Sequence, residues 1–173
     1  MNRNIAGALG ILAAGIAAVY AQPQAPSAAA SVKAAYARIK TNFGKAAEKM
    51  PEDKYRYKPV DALETFGQRV AHIADPQLMS CTAMTGERKM GDAKSKTSKA
   101  ELVAANKESF DACDKAFDAV TDANAMEPVT FGRGQQPRIA ALYGLVVHAN
   151  EVYGAMGVYM RLHGIVPPSS EGR

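Results

Sequence analysis

The sequence has no tryptophan, two cysteines and three histidines among its 173 residues. Two cysteines leave only one intramolecular disulfide to consider. Neither sign of charge dominates, because 21 basic and 17 acidic side chains give a formal net charge of +4. Strand-like alternation of apolar and polar residues and internal repeats are also missing. These absences argue against a β-sheet fold and a repeat array.

The small positive charge also argues against a nucleic-acid partner, which calls for lysine and arginine clustered on one face. The most basic stretch lies within residues 86–98, where glycine, serine and threonine are interspersed. This composition is typical of a solvated loop rather than a phosphate-binding patch. We therefore expect no nucleic acid among the partners.

The N-terminus has the features of a secretory signal. Arg3 precedes an uncharged apolar run over residues 5–19, and Val19-Tyr20-Ala21 fits a cleavage site. The run has about 15 residues, fewer than the roughly 20 that a spanning helix needs. We predict a signal peptide over residues 1–21, cleavage after Ala21, a periplasmic or secreted product and no membrane span after cleavage.

The rest of the chain predicts an all-α fold. In three segments, apolar residues recur at the spacing of one helix face, as amphipathic helices require. The three stripes are Val32, Tyr36, Ile39 and Phe43; Leu63, Phe66, Val70 and Ile73; and Val103, Phe110, Cys113 and Phe117. A fourth helix is expected over residues 137–163. The prediction is one four-helix bundle over residues 31–166, between a flexible leader (22–30) and a polar tail (167–173).

Several local features are predicted within this bundle. Ser98 and Glu101 suit the start of the third helix, and Gly164 the end of the fourth. Pro76 should kink the second helix or end it at Asp75, because proline lacks the amide hydrogen that helices need. Residues 121–136 should be irregular. The fourth helix has so few charges that we expect it to be the most enclosed.

Cys81 and Cys113 are predicted to form a disulfide. Export would deliver the chain to a compartment where disulfides persist. Cys113 lies on the apolar stripe of the third helix, and Cys81 lies on the continuation of the second helix past Pro76. The alternative is a pair of buried free thiols packed as small hydrophobic groups.

Two of the three histidines are candidate metal ligands. His163 is explained by the end of the fourth helix, where the helix dipole favours a cation. His72 and His148 lie in mid-helix, with Asp75 and Glu151 each three residues further on. Residues three apart share a helix face, so His72, His148 and Glu151 could form a set of two imidazoles and one carboxylate. The alternatives are hydrogen-bonded core histidines and solvated or ion-paired carboxylates.

Two groups of motifs resemble a known family. The segments MPEDKYRYKP (50–59) and TFGQRVAHIAD (65–75) look like the first half of the DinB-like superfamily, and HANEVYG (148–154), VYMRLHG (158–164) and Pro167-Pro168 look like its second half. The resemblance implies a four-helix bundle that binds a divalent metal through three histidines. His72 matches the first ligand and His148 the second, but the third position holds Val152. Relatives include thiol-dependent transferases and isomerases that use bacillithiol or mycothiol.

Two functions follow as hypotheses. The first is a non-catalytic domain of the cell envelope whose metal site is incomplete because Val152 replaces the third histidine. The second is a hydrolase or thiol-type transferase that uses His72, His148 and Glu151 to hold a divalent transition metal such as Zn, Ni or Fe. The sequence identifies no partner and leaves a homodimer open.

Overall fold

The computed structural model describes residues 25–172. The predicted signal peptide and its cleavage site lie outside these residues. Four helices dominate the fold, namely α1 (Ala28–Lys49), α2 (Phe66–Met84), α3 (Lys99–Ala119) and α4 (Arg138–Leu162). Each packs against two others: α1 and α2 both contact α3 and α4. The predicted all-α four-helix bundle is confirmed.

The first helix begins within the predicted leader. Ser27 is the N-cap of α1, and its side chain accepts a hydrogen bond from the backbone N–H of Ala30. Asp122, which follows α3, accepts a second one from the N–H of Ala29. Residues 28–30 are therefore helical rather than flexible, because two amides of the first turn find side-chain acceptors.

Capping boxes start two of the helices. Thr65 and Gln68 form one at α2, and Ser98 and Glu101 form the predicted one at α3. In each, the cap side chain accepts from a first-turn amide while the residue three positions later accepts from the cap. Gly164 follows α4 with φ +70°, the left-handed conformation that glycine adopts most readily.

Pro76 was predicted to kink the second helix or to end it at Asp75. Helix α2 continues through Pro76 to Met84, so the second of these alternatives is wrong. The part after Pro76 contributes the buried side chains of Gln77, Leu78 and Cys81. It packs along α3 in the most extensive helix–helix contact of the bundle. Burial on this side compensates for the one helical hydrogen bond that Pro76 cannot donate.

Residues 121–136 are not wholly irregular. Strands β1 (Pro128–Phe131) and β2 (Gly134–Pro137) form an antiparallel hairpin, with Pro128 opposite Pro137. Gly132, at φ +62°, supplies the turn. The sequence did not predict these strands, because each has only four residues, too few for a clear alternation of apolar and polar side chains.

The predicted polar tail packs on the bundle. Pro167 and Pro168 are buried, and a single 3₁₀ turn spans Pro168–Ser170. The N–H of Ser169 donates to the hydroxyl of Tyr153, and Lys49 forms a 2.7 Å ion pair with Glu171. The packed domain therefore extends beyond residue 166, because buried prolines and long-range polar contacts tie this segment to α1 and α4.

Helix α4 is not the most enclosed helix, contrary to the prediction. One side carries core residues such as Leu142, Met156 and Met160, whereas Tyr143 and Val158 on another side are more than half exposed. The helix is apolar all round, yet only α1 and α2 cover it extensively. Within residues 25–172, no helix is both long enough and apolar enough to cross a membrane.

Candidate functional site

The imidazoles of His72 and His148 lie next to each other. His72 projects from α2 and His148 from α4, and their ring centroids are 5.2 Å apart at an interplanar angle of 52°. Their side chains are 38% and 42% exposed. The pair therefore lies at the surface where α2 meets α4, and a solvent molecule or a small ligand can reach it.

Each imidazole has a carboxylate beside it. Oε1 of Glu64 is 3.6 Å from Nδ1 of His72, and Oε2 of Glu151 is 3.7 Å from Nδ1 of His148. The first pair joins residues eight apart across the start of α2, and the second joins neighbours one turn apart.

Glu64 is a site residue that the sequence analysis did not identify. It precedes Thr65, the N-cap of α2, and its carbonyl accepts a 2.7 Å hydrogen bond from the hydroxyl of Tyr159 on α4. Its carboxylate also lies 3.5 Å from the guanidinium of Arg69. Apolar periodicity identifies residues on helices and strands. It could not identify Glu64, which lies in a loop and is positioned by a contact with a residue distant in sequence.

Asp75 does not join the histidine pair. Its two carboxylate oxygens accept hydrogen bonds from the backbone N–H groups of Ala93 (2.8 Å) and Lys94 (3.1 Å). The side chain therefore holds the α2–α3 connection against α2. The ring of His163 packs edge-on against Tyr57, with centroids 4.3 Å apart.

The position that the family resemblance assigns to a third metal ligand is part of the core. Val152 is 3% exposed and belongs to the main apolar cluster. A valine side chain has no lone pair to donate to a metal, so the residues present do not fit a three-histidine centre. Among the residues that the structure describes, no three His, Cys, Asp or Glu side chains gather closely enough to hold a metal ion.

A cleft of about 410 Å³ lies elsewhere, between α1 and α3, whereas the cleft beside His72 is smaller, about 310 Å³. The smaller cleft is lined by Glu64, Gln68, Ala71, His72 and Lys94. It has room for a small polar molecule and offers both a cationic and an anionic side chain.

A disulfide joins α2 to α3. Cys81 and Cys113 are linked, their Cα atoms are 4.9 Å apart, and both side chains are fully buried. The bond closes the segment that contains the long α2–α3 connection. It lies within the helix pair with the most extensive contact.

Comparison with known proteins agrees with this fold. The sequence profile of the DinB superfamily matches residues 35–152. The crystal structure of a DinB-like protein from Bacillus cereus ATCC 10987 superimposes with a TM-score of 0.66, at 19% sequence identity, over 79% of this chain and 93% of that one. No curated protein matches the chain significantly. The profile covers more than half of the sequence, and the chain belongs to the DinB superfamily.

Proposed function

We propose that this protein is an exported, non-catalytic DinB-like domain of the cell envelope, in which the His72–His148 pair is what remains of a metal site. The observation that carries the proposal is the burial of Val152 in the core at the third ligand position. Tight binding of a transition metal with open positions normally takes three protein ligands. Two imidazoles on a half-exposed surface supply one fewer.

Glu151 is a poor substitute for the missing histidine. Its side chain is 78% exposed and lies beside His148 alone, at 3.7 Å. Positions 151 and 152 differ by one residue, or about 100° around the helix axis. A carboxylate at 151 therefore points away from the position that the family's third histidine occupies.

The buried disulfide supports export. Structural disulfides persist in the periplasm and outside the cell, and they are rare in the cytosol of mesophiles. A link between Cys81 and Cys113 is therefore consistent with the predicted signal peptide over residues 1–21. Thiol cofactors of the bacillithiol type belong mainly to the cytoplasm, so an envelope location also favours a non-catalytic function.

The alternative is a hydrolase or thiol-type transferase that depends on a divalent metal. The observation in its favour is the 5.2 Å separation of the two imidazoles, with a carboxylate beside each. Rotation of Glu64 or Glu151 could bring a third donor to a metal between the rings. The metal would then supply Lewis acidity, and His72 and His148 would hold it beside the 310 Å³ cleft.

Metal analysis of the exported protein separates the two functions. The wild type and His148→Ala are purified without added metal or chelator, and zinc, nickel and iron are measured by plasma mass spectrometry. We expect both proteins to contain far less than one metal ion per chain. One ion per chain in the wild type, lost in His148→Ala, would contradict the non-catalytic proposal and favour the alternative.

Restoring the third histidine tests whether the pair is a remnant of a metal site. Val152→His should raise the affinity for Zn²⁺ or Ni²⁺ in a competition titration, because it adds an imidazole one turn from His148. Val158→His, at an exposed position of α4, is the control and should bind no tighter than the wild type. No gain in a folded Val152→His protein would show that the histidines do not converge on a metal.

A further inference from the structure

The cleft between α1 and α3 is separate from the site at the histidines. It has a volume of about 410 Å³ and shares no lining residue with the cleft beside His72. Its apolar or small lining residues are Gly44, Ala100, Val103, Ala104 and Phe110. A largely apolar cleft of this volume is of the size that small-molecule ligands occupy.

A glycine at position 44 keeps this cleft open on the α1 side. Gly44 has no positive φ, and a Cβ built on it would meet no atom within 4 Å apart from its own helix and its chain neighbours. Glycine weakens a helix relative to alanine. Neither the backbone conformation nor packing within the described residues requires it here. Close approach of a ligand to the α1 backbone would account for it.

An amide group on the α3 side of the cleft lacks a hydrogen-bond partner. Asn106 lines the cleft and is only 2% exposed, and its buried Nδ2 has no acceptor among the described residues. Buried polar groups are almost always hydrogen-bonded, because an unpaired donor has lost its water without replacement. The two N–H groups of this amide therefore call for an acceptor oxygen on a molecule in the cleft.

The lysines around the cleft leave one positive charge without a counter-ion. Lys40 and Lys107 line the cleft, but both form ion pairs with Asp111, and Lys40 also contacts Asp114 at 2.5 Å. Lys45 lines the cleft too, and among the described residues it has no ion-pair partner within 4.0 Å. Its apolar stem can lie along the cleft while its ammonium group faces an anion.

Charge also differs between the two ends of the cleft. Lys40 and Lys107 share Asp111 at one end. Glu48 lies at the other end, where its carbonyl accepts a 2.6 Å hydrogen bond from Nζ of Lys99. The Glu48 carboxylate repels an anion from that end. An anionic headgroup is therefore favoured away from Glu48, and an apolar group is favoured toward it.

We propose that this cleft binds a small aliphatic carboxylate. The carboxylate group accepts hydrogen bonds from the amide of Asn106 and pairs with Lys45, and the chain lies along Ala100, Val103 and Ala104. The stretch from Asn106 to Ala100 is about 9 Å long at 1.5 Å per helical residue, which suits an extended chain of the length of octanoate. The exposed side chain of Lys45 can move outward to admit the ligand. The site needs neither histidine of the pair.

An NMR titration of the nitrogen-15-labelled exported protein with octanoate tests the site directly. The side-chain NH₂ signals of Asn106 and the backbone amide signals of Gly44 and Ala104 should shift together. Their common dissociation constant should be roughly 0.1–1 mM, as expected for a ligand of this size. Saturable shifts confined to other parts of the chain, or no saturable shift, would overturn the proposal.

Two further ligands test what the cleft recognises. Hexanoate should bind about tenfold more weakly than octanoate, because it buries two fewer methylene groups. Octyltrimethylammonium has a chain of the same length and the opposite charge, and it should bind more weakly by about fivefold or more. Equal binding of the two octyl compounds would overturn the proposal, because it would show an apolar groove with no preference for an anion.

A larger side chain at position 44 should close the cleft. Gly44→Leu should raise the dissociation constant for octanoate about tenfold or more while the protein stays folded. Gly154→Leu is the matched control, because Gly154 is also a helical glycine whose Cβ would meet no atom within 4 Å, but on α4. It should leave the dissociation constant unchanged. Equal effects of the two variants would overturn the proposal.

Removal of one charge tests the headgroup contact. Lys45→Gln should raise the dissociation constant for octanoate about threefold, the effect expected of an exposed ion pair. Arg38→Gln removes the same charge from an exposed position of α1 outside the cleft and should leave the constant unchanged. Equal effects of these two variants would overturn the assignment of Lys45. A wild type that sediments as a dimer, with Gly44→Leu a monomer, would overturn the ligand and assign the cleft to a second copy of the chain.

Discussion

Gly91 packs so tightly against Asp75 that a Cβ built at position 91 would clash with Oδ1 of Asp75. The same carboxylate accepts backbone hydrogen bonds from Ala93 and Lys94. Asp75 thereby fixes the α2–α3 connection and brings Lys94 to the cleft beside His72. Asp75, which shares a helix face with the candidate ligand His72, therefore positions Lys94 on one side of this cleft.

We predict that Gly91→Ala destabilises the protein. The added methyl group must displace the Asp75 carboxylate, which breaks one or both hydrogen bonds and lowers the free energy of unfolding by about 1–3 kcal/mol. Urea denaturation followed by circular dichroism measures the change. Gly134→Ala is the control, because its Cβ meets no atom within 4 Å and its φ is not positive. Equal stability of the two variants would show that the Asp75 contact contributes little.

The helices were predictable because their signals are local. Ser98 and Glu101 form the expected capping box, and the apolar stripe through Phe110 and Phe117 is buried as expected. Such signals depend on residues within one or two turns of each other. Local signals alone did not show that α2 continues through Pro76, because burial of Gln77 and Leu78 against α3 outweighs the local effect of proline.

The parts of the site that were not predicted depend on contacts distant in sequence. Glu64 reaches His72 because Tyr159, 95 residues later, holds its carbonyl. The periodicity of α4 showed that the helix is apolar but not which of its faces other helices would cover. His72 and His148 were identified as candidate ligands by their mid-helix positions and by their resemblance to the ligands of a known family.

Every chain of the exported protein should contain the Cys81–Cys113 disulfide, and the bond should stabilise the fold. A thiol titration of the denatured, unreduced exported protein should find no free thiol. Loss of the bond should lower the free energy of unfolding by about 3–4 kcal/mol, the value expected for a loop of about 30 residues. Dithiothreitol should therefore destabilise the wild type but not a Cys81→Ala/Cys113→Ala variant. Two free thiols per wild-type chain would contradict the bond.

We predict that alkaline pH unfolds the protein through its buried phenols. Burial is the main cause of the raised pKa of Tyr36, and the hydrogen bond to Asp114 is the second. Burial is also the main cause of the raised pKa of Tyr55. A raised folded-state pKa means that this contribution to stability is intact below the unfolded pKa of about 10 and is lost as pH rises above it.

The slope of stability against pH measures this effect. Each buried phenol should reduce the free energy of unfolding by at most about 1.4 kcal/mol per pH unit above pH 10. Tyr36→Phe and Tyr55→Phe should each flatten that slope, whatever they do to stability at neutral pH. Tyr143→Phe, at an exposed position of α4, should leave the slope unchanged. A wild-type slope that none of the three alters would contradict the prediction.

Export should remove residues 1–21. The apolar run of residues 5–19 is too short to span a bilayer, and Val19-Tyr20-Ala21 supplies small or tolerated residues at the positions that signal peptidases read. Mass spectrometry of the intact exported protein should give the mass of residues 22–173 with one disulfide. Ala21→Arg should block processing and leave the precursor, whereas Gln24→Arg, beyond the cleavage point, should be processed normally. A wild-type mass that retains residues 1–21 would show that this segment is an anchor instead.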